Sequence, residues 1–445
     1  MPERDANNKT DKPFNDLSMK DSTRPAPVVY WLTEAFFPPL VGGQELIASH
    51  LAQGLYGRGF QVQVITRQTI PPSPARENVN GVEVRRLRPG GMLKGKGFAA
   101  LFPVLIFLAK LVWILFKDMS RYDVVIVSGA KIMPLVVVPV CALLRKKCII
   151  RAESYFELHE TISTESMRTM GSRKGKLVFS FLENARNRVL RRADAVIAIS
   201  SQINEELLKR GVSAAKIVSL PNGVSLRKFR PVSEGERTAL RARLSIPNDR
   251  VIVLYAGRLA RAKGVPLLVD AWPTIFAQHP ELYLVIVGSG NRSFDDCEGQ
   301  VKERVKQLGL ERDVAFFPET DAVVDYLQAT DAWVFPTEYE GFSLALAEAM
   351  GCGCTVLATS VGAAPQLIQH GRSGFLFPPL ETQALINVFE EALKVRDQWP
   401  AIGAAARESV TPYDLDLIAG RYAELCRSLT EASGGLGPTL KGYVG

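Results

Sequence analysis

Arg258 and Lys263 have side chains that could bind a diphosphate, and they share a loop bounded by glycines. The loop, Gly257 to Gly264, follows the apolar run 251–256, which predicts a buried strand. A planar guanidinium and an ammonium at a strand end could bind one diphosphate together. Two solvated cations would explain the same loop, so this pattern alone does not decide between the two interpretations.

Two further loops follow predicted strands and could approach a ligand with their backbone. Gly288-Ser289-Gly290 comes after the apolar run 283–287, and the sequence SVGAAPQ at 360–366 comes after the run 355–357. Glycine allows a ligand to come close to backbone amides. Plain turns are the alternative explanation for both loops.

The stretch Pro336 to Gly353, PTEYEGFSLALAEAMGCG, carries the strongest pattern. An apolar run at 332–335 predicts a buried strand, and the residues from Phe342 onward, rich in Ala, Leu and Glu, predict a helix. A strand, a glycine turn and a helix direct free helix amides at an anion. Glu340 precedes the helix and Glu348 lies about two turns into it, so one carboxylate could face the ligand and the other a sugar hydroxyl. An ordinary helix start with two solvated glutamates is the alternative.

Continuous apolar runs alternate with helical patterns along both halves of the chain. The predicted strands are 28–32, 62–66, 82–87, 124–127, 148–151, 195–199 and 217–220 in the first half, and 251–256, 283–287, 314–317, 332–335 and 355–357 in the second. Strands that are apolar throughout are typical of parallel sheets covered by helices on both faces. We therefore predict an α/β fold with two such sheets and ligands beyond the carboxyl ends of the strands.

These motifs resemble the retaining family-4 glycosyltransferases, also called glycosyl transferases group 1. The resemblance rests on Gly257-Arg258-Leu259 with Lys263-Gly264, on Gly288-Ser289-Gly290, on Glu340-Gly341-Phe342-Ser343, and on Glu348-Ala349-Met350-Gly351-Cys352-Gly353. Gly42-Gly43-Gln44-Glu45 resembles the family's first glycine loop, and Pro221-Asn222-Gly223-Val224 its interdomain turn. The resemblance covers about residues 27–430. It implies the GT-B fold, in which two Rossmann-like, doubly wound domains face each other across a cleft that holds a nucleotide-sugar.

The resemblance also implies roles for individual residues. Arg258 and Lys263 would hold the donor diphosphate, Glu348 the ribose hydroxyls and Glu340 the transferred sugar. The implied catalytic set is Arg258, Lys263, Glu340 and Glu153; the implied donor-binding set is Gly42, Gly43, Gly257, Gly288, Phe317, Phe342, Ser343, Leu344 and Glu348. The nucleotide-sugar is a co-substrate, and no cofactor or metal ion is expected. Asp295-Asp296 and Asp414-Leu415-Asp416 are predicted to be solvated or helix-starting residues.

Two positions depart from the family pattern. Glu153 stands where many members have a histidine, in Arg151-Ala152-Glu153-Ser154. The loop that often carries Gly-Gly-x-x-Glu in the family is Gly362-Ala363-Ala364-Pro365-Gln366 here, which weakens any inference about the donor sugar.

The predicted domains follow from composition and from the resemblance. We predict a disordered tail at 1–26, an acceptor-side domain at 27–226 and a nucleotide-sugar-binding domain at 227–412. A C-terminal helix at 413–430 would cross back to the first domain, and 431–445 would form a second tail.

Basic residues are concentrated in the first half. Residues 1–230 hold 35 Lys and Arg against 19 Asp and Glu, a net charge of +16, whereas residues 231–445 carry a net charge of −8. The segment Phe98 to Phe116, FAALFPVLIFLAKLVWILF, is apolar apart from Lys110, and Lys94, Lys96 and Lys117 flank it. It could be a buried core helix, a helix lying in a membrane interface, or a span; Lys110 and Pro103 disfavour a span.

We therefore expect an anionic membrane surface, a nucleotide-sugar and a lipid-linked or saccharide acceptor as partners. Nucleic acid is not expected, because no nucleic-acid motif accompanies the basic residues. Six cysteines without paired spacing and a polar N-terminus without an apolar core favour a cytoplasmic protein, peripheral at the inner face of the plasma membrane.

Three function classes remain open at this point. A glycosyltransferase that acts on a membrane-proximal glycolipid or polysaccharide precursor explains most of the motifs. A non-catalytic, membrane-tethered scaffold with a GT-B fold is the alternative, favoured mildly by the absent histidine. A GT-B epimerase or phosphorylase is a weaker third, because no lysine has a context that singles out a pyridoxal phosphate site.

Overall fold

The structure is a computed structural model that describes residues 26–36, 43–68, 74–88, 102–154, 158, 173–290 and 295–431. The chain divides into two compact units. The first contains the described residues within 1–151, 161–195 and 419–442, and the second those within 152–160 and 196–418. Residues 196–226 thus group with the second unit, and the boundary expected after residue 226 stays a prediction. The expected tails at 1–26 and 431–445 lie almost entirely outside the described residues.

The first sheet has eight strands in the order β3-β4-β2-β1-β5-β6-β7-β8. They are β1 Val28–Thr33, β2 Gln61–Arg67, β3 Arg76–Val79, β4 Val82–Leu87, β5 Val124–Ser128, β6 Lys147–Ala152, β7 Ala195–Ala198 and β8 Ile217–Ser219. Neighbouring strands from β4 to β6 pair in parallel, as expected. The edge strand β3 was not predicted, and it pairs antiparallel with β4. Its sequence, RENV, has no apolar run because this strand is largely solvated.

The second sheet has six strands, all parallel, in the order β11-β10-β9-β12-β13-β14. They are β9 Val251–Ala256, β10 Leu282–Val287, β11 Val314–Phe317, β12 Ala332–Phe335, β13 Thr355–Thr359 and β14 Phe375–Phe377. The chain builds the sheet outward from β9 to β11, then returns to the other side of β9 with β12. This doubly wound order places a crevice at the carboxyl ends of β9 and β12.

Helices connect the strands in both halves. In chain order they are α1 Gly43–Tyr56, α2 Phe102–Lys117, α3 Met133–Leu143, α4 Arg173–Leu190, α5 Ser201–Lys209, α6 Glu234–Arg243, α7 Val265–Gln278, α8 Glu298–Gln307, α9 Val323–Ala329, α10 Leu344–Gly351, α11 Ala364–Leu367, α12 Thr382–Lys394, α13 Trp399–Val410 and α14 Leu415–Thr430. The alternation of strand and helix confirms the predicted α/β class.

Helix α2 is buried on one face only. Phe107, Leu108, Leu111, Ile114 and Leu115 pack into the first unit. The opposite face is exposed and apolar, with exposed fractions of 64% for Phe102, 61% for Leu105, 55% for Trp113 and 41% for Phe116. In the part of the chain that the structure describes, no helix is long and apolar enough to span a membrane. Residues 98–101 of the predicted segment, with Lys94 and Lys96, lie outside that part.

The last helix, α14, contributes Tyr422 to the first unit. The Tyr422 hydroxyl accepts a hydrogen bond of 3.0 Å from Nε of Arg151, and both residues are fully buried. The Tyr422 ring stacks on Trp31 of β1, with 6.0 Å between the ring centroids. A side chain near the C-terminus therefore completes a core formed mainly by N-terminal strands.

Candidate functional site

The candidate site lies at the carboxyl ends of β9 and β12, where the strand order of the second sheet reverses. The loop after β9 carries Arg258 and Lys263, and the loop after β12 carries Glu340. Neighbouring parallel strands present their carboxyl ends at one edge, so the fold alone brings these two loops together. Crevices at such reversals are the usual ligand sites of doubly wound sheets.

Gly264 allows the two loops to touch. The short helical turn Arg261–Lys263 ends at Gly264, whose φ of +72° lies in the left-handed region. A Cβ atom at this position would lie 1.9 Å from the carbonyl oxygen of Pro336. Any larger residue would push the β9 loop away from the β12 loop.

Hydrogen bonds fasten the two loops to each other. The amide of Glu338 donates to the carbonyl of Ala262 over 2.9 Å, and Oγ1 of Thr337 donates to the same carbonyl over 3.1 Å. The hydroxyl of Tyr255 donates to the carbonyl of Arg258 over 2.8 Å. The backbone that carries the candidate residues is therefore held from both strands.

Lys263 and Glu340, 77 positions apart, form a direct ion pair. Nζ of Lys263 contacts Oε1 of Glu340, and the two side chains are only 14% and 18% exposed. The same Nζ lies 5.7 Å from the ring centroid of Phe335. Arg258 differs, since it is exposed and has no carboxylate within ion-pair distance among the residues that the structure describes.

Gly257 and Gly288 bring the β9 and β10 loops into close contact. Gly288 has a φ of +150°, and a Cβ there would lie 1.9 Å from the carbonyl oxygen of Gly257. The amide of Leu259 donates to the carbonyl of Ser289 over 3.1 Å. Phe317 ends β11 opposite Val287, with its ring 5.3 Å from that of Tyr326. These residues share the site's edge of the sheet, and their contact with a donor stays a prediction.

Helix α10 begins at Leu344, two residues later than the sequence pattern predicted. Ser343 is its N-cap, with a φ of +66°, and its side chain accepts a hydrogen bond of 3.4 Å from the amide of Leu346. Phe342 precedes the helix and is buried against Tyr413, with 5.8 Å between ring centroids. The prediction that Phe342 opens the helix was wrong, because a left-handed serine cap has no signature in an Ala- and Leu-rich run.

Glu348 lies in the second turn of α10 and is half-buried. Burial raises the pKa of its carboxyl from 4.5 to about 7, and the ammonium of Lys228 offsets part of that rise. The carboxyl is therefore divided between its neutral and ionised forms near neutral pH. The neutral acid accepts hydrogen bonds from hydroxyls through one oxygen only, and the ionised carboxylate accepts them through both oxygens and more strongly.

Two backbone contacts support Glu340, and the sequence pattern did not reveal them. A Cβ at Gly341 would lie 2.6 Å from the carbonyl oxygen of Glu153, which belongs to the same compact unit. Gly362, with a φ of +59°, would place a Cβ 2.7 Å from the carbonyl oxygen of Glu340. Glu153 is itself buried, with 8% exposure. The loops after β6 and β13 thus pack against the backbone of the candidate carboxylate.

The remaining predicted positions lie elsewhere or outside the described residues. Gly43 is exposed and begins α1 in the first unit, after β1. Gly42 lies outside the described residues. Within the ranges that the structure describes, no three His, Cys, Asp or Glu side chains come together as a metal site would require.

Two family models match the chain. One, described as "Glycosyl transferase 4-like domain", matches residues 42–223, and the other, "Glycosyl transferases group 1", matches residues 236–409. A curated relative from Streptomyces scabiei, a D-inositol 3-phosphate glycosyltransferase, is 31% identical over 245 residues, which cover 53% of this chain and 54% of the relative. The chain spans about half the length of the first curated relatives it matches.

Solved structures extend the similarity over both units. Sucrose-phosphate synthase from Thermosynechococcus elongatus aligns with a TM-score of 0.72 and 27% identity, covering 90% of this chain and 99% of the other. The Anabaena protein HepE in complex with UDP-glucose aligns with a TM-score of 0.68 and 22% identity, covering 91% of this chain and 100% of the other, which shows the fold.

Two largely parallel, doubly wound sheets and the similarity to sucrose-phosphate synthase along 90% of the chain define a protein of the GT-B fold. Together the matched models span most of the sequence. The chain belongs to the family-4 glycosyltransferases, the glycosyl transferases group 1.

Proposed function

We propose that the protein is a retaining glycosyltransferase that moves a sugar from a nucleotide-sugar to a membrane-proximal glycolipid or polysaccharide-precursor acceptor. The observation that carries the proposal is the meeting of Lys263 and Glu340 where the strand order of the second sheet reverses. Arg258 shares the β9 loop, and Glu348 follows in α10. A diphosphate, a sugar and a ribose would each find a partner in this group.

Leaving-group stabilisation is the main task that the site would perform. The bond between the anomeric carbon and the diphosphate oxygen breaks, and that carbon bonds to an acceptor oxygen on the same face. The acceptor proton passes to the departing diphosphate. Arg258 and Lys263 would stabilise the negative charge that develops on the diphosphate, as fixed charges do in water-poor sites. Glu340 would hold the sugar, and buried Glu153 would contact it or the acceptor.

We propose that the reaction needs no metal ion and no cofactor. The two cations of the β9 loop would supply the positive charge that a divalent ion supplies in other phosphate sites. Within the second unit, Gly257, Gly288, Phe317, Ser343 and Leu344 would complete donor binding, and the roles expected of Gly42 and Gly43 stay predictions.

Product formation from a panel of nucleotide-sugars tests the activity. Purified protein is incubated with UDP-, GDP- and ADP-sugars and an anionic lipid-linked or saccharide acceptor, and the released nucleoside diphosphate is measured. Proton NMR of the product then gives the anomeric configuration. Donor-dependent transfer with retention supports the proposal. Binding of a donor without transfer to any acceptor would favour the scaffold, and inversion would refute the proposed mechanism.

The exposed face of α2 supports a membrane-proximal acceptor. Phe102, Leu105 and Trp113 are more than half exposed, and Lys110 and Lys117 lie on the same helix. Nζ of Lys117 lies 4.6 Å from the ring centroid of Trp113. Aromatic and aliphatic side chains with adjacent cations suit shallow insertion into an anionic leaflet, where each basic residue contributes about 1 kcal/mol. We therefore propose a cytoplasmic protein that docks at the inner face of the plasma membrane.

Co-sedimentation with vesicles tests the docking. Binding should rise with the anionic lipid fraction, weaken with salt, and fall when Lys94, Lys96 and Lys117 are changed to Glu. Trp113→Ser should weaken binding, whereas Leu380→Ser should not. Leu380 is the matched control, because it is also an exposed apolar residue, at 64%, but lies in the second unit. Equal recovery in the supernatant with neutral and anionic vesicles would refute docking and leave the transferase proposal standing.

A further inference from the structure

The ion pair between Lys263 and Glu340 joins two residues for which the proposed function has different ligands. Lys263 would bind the diphosphate, and Glu340 would bind the sugar. In the structure their side chains contact each other, at 14% and 18% exposure. When a donor binds, the phosphate and Glu340 therefore either share the three N–H groups of Lys263 or the pair separates.

We infer that Glu340 determines specificity for the nucleotide-sugar over the nucleoside diphosphate, because it competes with the diphosphate for Nζ of Lys263. This inference rests on the proposed function, in which both molecules occupy the same site. It assigns Glu340 a second task beyond contact with the sugar, namely to weaken the binding of a donor that lacks its sugar.

Each charge of the pair needs a partner both before and after a ligand binds. Separating a largely buried ion pair is unfavourable unless both charges find new partners. A nucleoside diphosphate provides a partner for Lys263 only, and it leaves the Glu340 carboxylate unpaired beside negative phosphates. A nucleotide-sugar provides phosphate oxygens for Lys263 and hydroxyl donors for Glu340. The exchange is therefore favourable for the complete donor and unfavourable for the product.

The backbone on both sides restricts the exchange to side-chain movement. The carbonyl of Glu340 lies against Gly362, where a Cβ would be only 2.7 Å away. The amide of Lys263 donates to the carbonyl of Ala260 over 2.9 Å. Oγ1 of Thr337 lies 3.1 Å from the carbonyl of Tyr339, next to Glu340, as well as from that of Ala262, so its one hydrogen is shared between the two. Because these contacts hold the loops, the two side chains stay within reach of each other whenever the sugar is absent.

The competition has a consequence for turnover. After transfer, the sugar leaves Glu340 for the acceptor, and the carboxylate is again without a partner. Returning to Lys263 would then displace the diphosphate from that ammonium. Arg258, which has no carboxylate within ion-pair distance in the described part of the chain, would continue to hold the product. Glu340 thus favours product release.

Binding affinities of matched ligands test the inference. Isothermal titration measures Kd for UDP and UDP-glucose, and for the GDP and ADP pairs, with wild-type protein, Glu340→Gln and Glu338→Gln. Glu338 is the matched control, since it is an exposed carboxylate two positions earlier in the same loop. We expect Glu340→Gln to bind the nucleoside diphosphate on the order of tenfold more tightly, a change of about 1.4 kcal/mol. Its preference for the sugar-bearing donor should fall, and Glu338→Gln should match wild type.

A second background separates competition for Lys263 from simple repulsion of phosphate. When Lys263 is already Ala, the change Glu340→Gln should alter diphosphate affinity much less, because the competing pair no longer exists. An equal gain in both backgrounds would refute competition, as would a Glu340→Gln variant that melts like wild type but binds UDP no more tightly. Wild-type protein that binds no nucleotide in the panel would overturn the proposed function itself.

Discussion

Changing Glu348 to Gln should stabilise the free protein at alkaline pH and remove the pH dependence of donor binding. Burial raises the pKa of this carboxyl from 4.5 to about 7. Because the folded-state pKa lies above the unfolded value, the associated stability is fully present below pH 4.5 and is lost as the pH rises through 7. A shift of this size corresponds to about 3 kcal/mol at most. Glu348→Gln should therefore be more stable than wild type at pH 8 by up to that amount, and similar to it at pH 4.5.

Donor binding should show the opposite preference, since the ionised carboxylate accepts hydrogen bonds from ribose hydroxyls more strongly than the neutral acid does. With a pKa of about 7, about one carboxyl in eleven is ionised at pH 6 and about ten in eleven at pH 8. Wild-type affinity for a nucleotide-sugar should therefore fall between pH 8 and pH 6, by up to about tenfold. Glu348→Gln should bind more weakly at pH 8, with little change down to pH 6.

Urea denaturation from pH 4.5 to 8 and isothermal titration from pH 6 to 8 measure the two effects. A nucleotide-sugar is the better ligand here, because it lacks the phosphate monoester whose second pKa near 6 would confuse the profile. Glu338→Gln serves as the exposed control. If Glu348→Gln is no more stable than wild type at pH 8, burial does not raise the pKa of Glu348. If wild-type binding is flat between pH 6 and 8, Glu348 does not bind the ribose as a carboxylate.

Three further predictions concern the loops and the chemistry. Lys263→Ala should stay folded and lose roughly 10–150-fold in turnover, since a charged hydrogen bond is worth about 1.5–3 kcal/mol; near-wild-type turnover would contradict its diphosphate role. Gly264→Ala should lower the free energy of unfolding in urea more than Gly309→Ala does, because both have φ near +70° but only Gly264 would place a Cβ 1.9 Å from the Pro336 carbonyl, while Gly309 has open space; equal effects would show that the loop contact is unimportant. Activity should survive excess chelator, and a loss that a divalent ion restores would disprove the metal-free mechanism.

The strands of the second sheet were predictable because strands that are buried on both faces consist of continuous runs of apolar residues. The runs 251–256, 314–317 and 332–335 have the same ends in the structure as in the prediction. The strands that the pattern missed lack a long run of apolar residues. Arg76–Val79 is a mostly polar edge strand, and Phe375–Phe377 is only three residues long.

The site was predictable in its residues but not in its contacts. Motif resemblance placed Lys263 and Glu340 at strand ends, yet their pairing depends on the strand order and on how closely Gly264 lets the loops approach. The pKa of Glu348 depends on how deeply α10 packs, which no local pattern encodes. Ser343 adopts a left-handed cap that only the assembled loop imposes.

The position of Tyr422 has a consequence for how the protein folds during its synthesis on the ribosome. Its hydrogen-bond partner Arg151 is 271 residues earlier in the chain. At translation rates of about 5–20 residues per second, Arg151 would leave the peptidyl-transferase centre about 14–54 s before Tyr422 is added. During that interval the fully buried guanidinium lacks one of its hydrogen-bond acceptors, and Trp31 lacks its stacking partner. Residues 196–418, by contrast, are all synthesised before α14 is complete, so the nascent chain should finish its second unit first.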